Sequence, residues 1–189
     1  HNPADTHFRP RIFRATTMRT INRAWATLLA VRPETRVSAT TAFFAMVAVP
    51  WYCDAFGPSG WVQHHVLVPA RHFGRFVSGA RRLFDDADVC VARASLKLFR
   101  GRGRYLRFDG DGLALSLDLI RSDGLVPALH ALYELEAGLG ARVSVMKDEC
   151  LTASAVRAQY PEFGSFVAAL READPERRFR SDLSARLEL

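Results

Sequence analysis

From residue 61 onward, hydrophobic and polar positions fall into a regular rhythm. Residues 61–69 read Trp-Val-Gln-His-His-Val-Leu-Val-Pro, a valine-rich run that predicts a strand. In 71–84, Phe73, Phe76, Val77, Ala80 and Leu83 recur at helical spacing and predict a helix. Residues 89–99 predict a second strand. Residues 112–120 alternate strictly, with Leu113, Leu115, Leu117 and Leu119 in step, and predict a third. Asp123 is placed to cap a helix over 124–139 that carries Leu125, Leu129, Leu132 and Leu139 inward. Val143, Ser144, Val145 and Met146 predict a fourth strand, stopped by Lys147 and Asp148. The order strand, helix, strand, strand, helix, strand defines an α+β fold: a ferredoxin-like (βαββαβ) antiparallel sheet with both helices on one face.

The flanks are less regular. Residues 1–17 are polar and basic, and 18–31 predict a helix with Ile21, Trp25, Leu28 and Leu29 on one side, ended by Pro33. Residues 43–49 suggest a short buried strand closed by Pro50, and an aromatic loop then turns on Gly57-Pro58. After the fourth strand, 151–159 and 162–170 read as two further helices. The second carries the apolar stripe Phe163, Phe166, Val167 and Leu170, and 174–189 reads as a basic, irregular tail.

Strand parity divides the sheet residues between two faces. Val62, His64, Val66 and Val68, the four leucines of 112–120, and Cys90, Ala92, Ala94, Leu96 and Leu98 are expected under the helices. Trp61, Gln63, His65, Leu67, Arg93, Ser95, Lys97, Phe99, Ser116 and Asp118 then share the other face. Hydrogen-bonding groups, a cation and aromatic walls on a rigid sheet suit a polar ligand. The same set equally suits a solvated face of an antiparallel sheet. Lys147, at the end of the fourth strand, is either a residue fixed by that strand end or a solvated loop lysine.

Composition narrows the classes. The chain has 189 residues, 49% of them hydrophobic, and reads as globular rather than disordered. No apolar run spans a bilayer and no signal-peptide pattern appears, so the expected location is cytoplasmic or envelope-associated, with peripheral membrane contact open. Cys53, Cys90 and Cys150 are odd in number and far apart, so neither a disulfide framework nor a metal site is expected. His64 and His65 point to opposite faces and cannot share a metal. The formal charge of +6 is mostly arginine, clustered at the start, in 100–104 and in 177–180, and suits nucleic acid, anionic lipid or phosphorylated ligands.

Particular stretches carry a resemblance. Arg142-Val-Ser-Val-Met-Lys-Asp148, Tyr160-Pro161, Asp174-Pro175, Ser181-Asp182-Leu183 and Arg186-Leu-Glu-Leu189 resemble the C-terminal end of FAD-linked oxidases of the vanillyl-alcohol-oxidase fold. Upstream, Trp51, Gly57-Pro58, Trp61-Val-Gln63 and Leu96-Lys-Leu-Phe99 resemble other strands and turns of that family. The likeness is strongest to its polyprenylphosphoryl-sugar oxidases and looser to the D-arabinono-1,4-lactone oxidase group. It implies FAD as cofactor and hydride transfer from a hydroxyl of a sugar, sugar lactone or polyol. It implies Lys147 between flavin and substrate, and Gln63 and Lys97 against substrate; His65, Phe99 and Ser116, on the same face by strand parity, are expected to complete the substrate side. His65, Ala114 and Ser116 stand where the family often has glutamine, asparagine and cysteine, which leaves the substrate open. The resemblance further implies a division into 1–40 (lead-in), 41–141 (substrate-binding cap) and 142–189 (returning to an FAD-binding domain whose glycine-rich loops these residues do not contain). The chain without that domain is expected to be inactive. The alternative is a basic nucleic-acid-binding module, since ferredoxin-like sheets also serve as RNA platforms. That reading asks for stacking aromatics on the central strands, and 112–120 offers Asp118 instead.

Overall fold

Strict alternation in 112–120 gives a strand that can pair on both sides while burying one leucine face, and the architecture grows around it. The computed structural model describes residues 14–31, 34, 36–40, 52, 54–102 and 104–189. Its elements are α1 (Ala15–Val31), β1 (Trp61–Val68), α2 (Phe73–Asp86), β2 (Val91–Phe99), β3 (Gly112–Ile120), α3 (Leu125–Gly138), β4 (Arg142–Val143), α4 (Ala153–Gln159), α5 (Phe163–Ala173) and α6 (Asp182–Arg186). The four strands form one antiparallel sheet in the order β2-β3-β1-β4. The expected strand at 43–49 and the resemblance at Trp51 lie outside the described residues.

Val62, Val66 and Val68 of β1 and Leu117 and Leu119 of β3 meet Phe76, Ala80 and Phe84 of α2 and Leu125, Leu129 and Leu132 of α3 in one core. Leu119, Leu129 and Leu132 are fully buried, each contributing about 1.5–3 kcal/mol by removal from water. Both helices therefore lie on the leucine and valine face, as parity requires. The same core takes in Leu151, Val156, Tyr160, Phe163 and Leu187, so α4, α5 and the last residues pack on this sheet's helices.

Four sequence expectations change. First, β2 changes phase. A register irregularity between Val91 and Arg93 puts Val91 opposite Leu119 and Arg93 opposite Asp118. Cys90 and Ala92 thereby move to the other face, where they pack with Met18, Tyr52, Phe56 and Ile120. Ala94, Leu96 and Leu98 do take the helix side, opposite Leu117, Leu115 and Leu113, but this terminal strand extends past the helices and all three are exposed. Second, β4 is two residues long rather than four. After Ser144 N–H donates to His65 O at 2.7 Å, the chain turns back, with Lys147 N–H donating to Ser144 O. Third, Asp123 does not cap α3. Gly124 holds that position, because its α-carbon lies so near the Ala87 carbonyl that a side chain there would stand 2.3 Å from the oxygen. Fourth, the tail is not wholly irregular. Ser181 and Ser184 form a reciprocal cap that starts α6.

Helix α1 shows its expected apolar side, yet Ile21, Trp25, Leu28 and Leu29 are exposed, and among its described side chains Met18 is the buried one.

Candidate functional site

The face away from α2 and α3 is ordered in rows by strand register. Gln63, Asp118 and Arg93 form one row; His65, Ser116 and Ser95 the next; Leu67, Ala114 and Lys97 the third; Gly112 and Phe99 the last. This face is not fully open. At one end the aromatic loop covers it: Phe56 stacks on Trp61 at 5.3 Å, and Tyr52 meets both edge-on. At the other end the loop between β2 and β3 folds over, with the Phe108 ring 4.3 Å from His65 and 5.8 Å from Phe99. Ala114 and Leu67 are buried beneath it.

Asp118 is the hub of the first row. Its carboxylate is 1% exposed and accepts from Tyr52 Oη at 2.6 Å, Arg93 Nε at 2.9 Å and Gln63 Nε2 at 3.0 Å. A carboxylate that only accepts fixes the Gln63 amide: the NH2 faces Asp118 and the oxygen is left for a donor. Burial raises the Tyr52 hydroxyl well above its usual pKa, and Asp118 adds to that, so Tyr52 stays a donor. Burial works against the Arg93 charge, and the bond to Asp118 more than restores it.

His65 sits half-buried between these rows. Burial lowers its pKa to about 4, with the charges of His64, Lys147 and Lys97 adding to the effect. It is therefore a neutral imidazole near neutral pH, able to donate from one ring nitrogen and accept at the other.

Lys147 is exposed at the turn after β4. With Trp61, Val62, Gln63 and Glu149 it lines a cleft of about 210 Å³. Glu149 is paired with Arg121, so the Lys147 ammonium is not neutralised by it. The fold thus brings Lys147 and Gln63 to one cleft, and sets His65, Ser116 and Phe99 on the adjoining face. Lys97 is exposed and lies four residues from the Gln63 row, about 13 Å at the rise of a strand. Gln63 and Lys97 can meet only an elongated ligand in common.

The turn bearing Lys147 is tied from below. His64, on the helix side of β1, donates from Nδ1 to Asp148 Oδ2 and from Nε2 to Glu136 Oε1, each at 2.7 Å and with all three side chains fully buried. Gln159 Nε2 donates to Glu136 Oε2 at 3.3 Å, and Gln159 Oε1 accepts Val143 N–H at 2.8 Å. Burial alone would lower the His64 pKa, but Glu136 and Asp148 together push it up to about 10. Among the described residues, no group of histidine, cysteine and carboxylate side chains could hold a metal ion.

Sequence reasoning placed Asp118 and Arg93 on this face but missed Asp118 as the hub, and it missed Phe108, Tyr52, and the His64 cluster. The signals were faint: one aspartate in a leucine-alternating strand, one phenylalanine in an arginine-rich loop. The partners of His64 lie 72 and 84 residues away in sequence.

Among known proteins, the chain is distantly similar to an oxidase. That relative is decaprenylphosphoryl-beta-D-ribose oxidase of Mycolicibacterium smegmatis, 27% identical over 139 residues, which are 71% of this chain and 29% of the relative. The chain thus spans under a third of the length of the relative it matches. No protein-family model matches it. Among the described residues no helix is long and apolar enough to cross a membrane.

Proposed function

We propose that these residues form the substrate-binding part of an FAD-dependent oxidoreductase acting on a hydroxyl of a sugar, sugar lactone or polyprenyl-phosphate sugar. The observation that carries the reading is the shared cleft of Lys147 and Gln63 at the edge of the polar sheet face, in a chain similar to a ribosyl oxidase. In this reading the fold is the ferredoxin-like cap, with 41–141 as the cap and 142–189 returning toward an FAD-binding domain. The donor chemistry fits a flavin: an exposed ammonium beside an aromatic and an amide suits the oxygen-rich pyrimidine rim of the isoalloxazine. Lys147 would hold that rim. The chemistry FAD supplies when bound is acceptance of a hydride from the alcohol carbon.

The chain's own groups do the rest. Gln63, oriented by Asp118, offers its oxygen to a substrate hydroxyl. Neutral His65 and the Ser116 hydroxyl can each donate or accept. Phe99, with Phe108, walls the far end, and Lys97 there suits an anionic or polyhydroxylated group on an elongated substrate. The Lys147 cation stabilises negative charge developing next to it. Peripheral membrane association is consistent with a polyprenyl substrate. A nucleic-acid role is not favoured: β3 presents Ala114, Ser116 and Asp118 on its polar face, with no stacking aromatic.

The test uses the complete protein loaded with FAD, with reduction of a dye acceptor measured over pentoses, pentonolactones and prenylphosphoryl pentoses. Turnover on at least one class is expected, and Lys147→Ala should lower kcat by about 10²–10³ while leaving the flavin bound. Wild-type kcat in Lys147→Ala would remove the lysine from this role. A protein that binds FAD yet oxidises none of the three classes would remove the substrate assignment.

A further inference from the structure

Three side chains in the core carry ionisable groups with no exposure at all, and they lie together. His64 is clamped by Glu136 from α3 and Asp148 from the turn after β4. Burying such groups is costly, and an apolar cluster of similar volume is often as stable or more so. Stability alone therefore does not account for the arrangement, while its position does suggest a task.

In a strand, neighbouring residues point to opposite faces within one residue's rise. Gln63 and His65 flank His64 and stand on the polar face. Asp148 is covalently next to Lys147. One strand therefore presents Gln63 and His65 on one side and, through His64 on the other, grips the turn that carries Lys147. We propose that His64 is a positioning residue: its bond to Asp148, with Glu136 bracing the opposite ring nitrogen, sets where Lys147 stands relative to Gln63 and His65. The catalytic consequence rests on the role of Lys147 proposed above; the mechanical link does not.

The surrounding contacts support a purpose-built brace. The other Asp148 oxygen accepts Cys150 N–H at 2.9 Å, which closes the turn on itself. Asp148 O accepts Arg186 Nη1 at 2.9 Å, and the same nitrogen donates to Leu151 O. Glu136 is held in turn by Gln159, whose oxygen takes the Val143 amide at the end of β4. The strand leading into the turn and the residue leading out of it are thus tied to the same three groups. Lys147 itself is exposed, and the backbone bond from Lys147 N–H to Ser144 O is its local restraint. Without the brace, the turn keeps its backbone bonds to Ser144 and the Arg186 contact to Asp148 O, but loses its side-chain anchor to β1.

Two variants of the complete protein test this. His64→Gln is too short to bridge both carboxylates. Asp148→Asn keeps one acceptor oxygen where two N–H groups need one, and it serves if the first variant does not fold. The first readout is amide hydrogen exchange, independent of flavin and turnover. Exchange at Lys147 and residue 148 should quicken by about tenfold or more, with amides of β1 and β3 unchanged. Equal quickening throughout would mean a purely structural role and would overturn the proposal, as would unchanged exchange at the turn. The second readout is kinetic, on the loaded enzyme. Asp148→Asn should lower kcat by about tenfold with little change in KM, and adding it to Lys147→Ala should cost nothing more, because both act through one group. Full additivity would overturn the link to Lys147. Local quickening with no turnover in any form would leave the brace standing and strike down the oxidoreductase reading instead.

Discussion

His64 and His65 are adjacent, yet they titrate at opposite ends of the scale, at about 10 and about 4. Alternation sends one imidazole between two carboxylates and the other into partial burial beside Phe108, where the charges of His64, Lys147 and Lys97 add to the effect. The opposite orientations were legible in the sequence, since strand parity requires them. The charges they meet were not, because those come from α3, the β4 turn and β2. The pH consequences have opposite signs. The raised His64 value stabilises the fold fully below pH 6.5, its unshifted value, and that contribution is lost as pH rises toward 10. Glu136, raised by burial, works in the same direction. The lowered His65 value makes the fold lose stability as pH falls from 6.5 toward 4. Thermal unfolding of His65→Gln should therefore differ in slope from wild type below pH 6.5, and that of His64→Gln should differ above it, where the charged imidazole is lost. Parallel curves for either variant would show that its imidazole does not have the environment described.

At the scale of elements, legibility followed the strength of local periodicity. Strand β3 was readable end to end, because alternation fixes both its type and its face. The start of β2 was not: a one-residue irregularity near Ala92 inverts the phase, and both faces of that stretch are small or apolar, so the pattern carries no trace of the slip. The end of β4 was misread because Val145 and Met146 have strand propensity, while the turn is held by contacts from other elements. Asp123 looked like a cap by composition, but contact between Gly124 and the end of α2 sets the start of α3. That contact predicts a cost for Gly124→Ala. At a helix N-cap glycine is already preferred to alanine; here the new methyl also meets the Ala87 carbonyl, and unfolding by urea should show a loss of about 1–3 kcal/mol. An unchanged midpoint would mean that the two segments are not in close approach.

At the scale of the whole molecule, the site is legible as a list but not as a shape. The sequence put Gln63, His65, Lys97, Phe99 and Ser116 on one face, and register keeps them there. It gave no sign that Phe108 and Tyr52 would cover that face from both ends. Nor did it show that α4, α5 and the last residues, expected to pack on an FAD-binding domain, would share the core of the sheet through Leu151, Val156, Tyr160, Phe163 and Leu187. The terminal strand has a consequence for handling the protein. Among the described residues no strand pairs with the outer edge of β2, and Leu96 and Leu98 are 52% and 66% exposed. Helix α1 meets this edge at Val91, where Asn22 Nδ2 donates to the carbonyl, but an edge with no strand partner and exposed apolar side chains invites self-association into β-aggregates, and a lysine within it acts as a gatekeeper. Lys97 sits between the two leucines. Lys97→Ala should therefore lower the yield of soluble protein and raise concentration-dependent light scattering, while Lys97→Arg should not. Equal scattering from both variants would release Lys97 from guarding the edge, and an activity lost in Lys97→Ala could then be read as substrate binding alone.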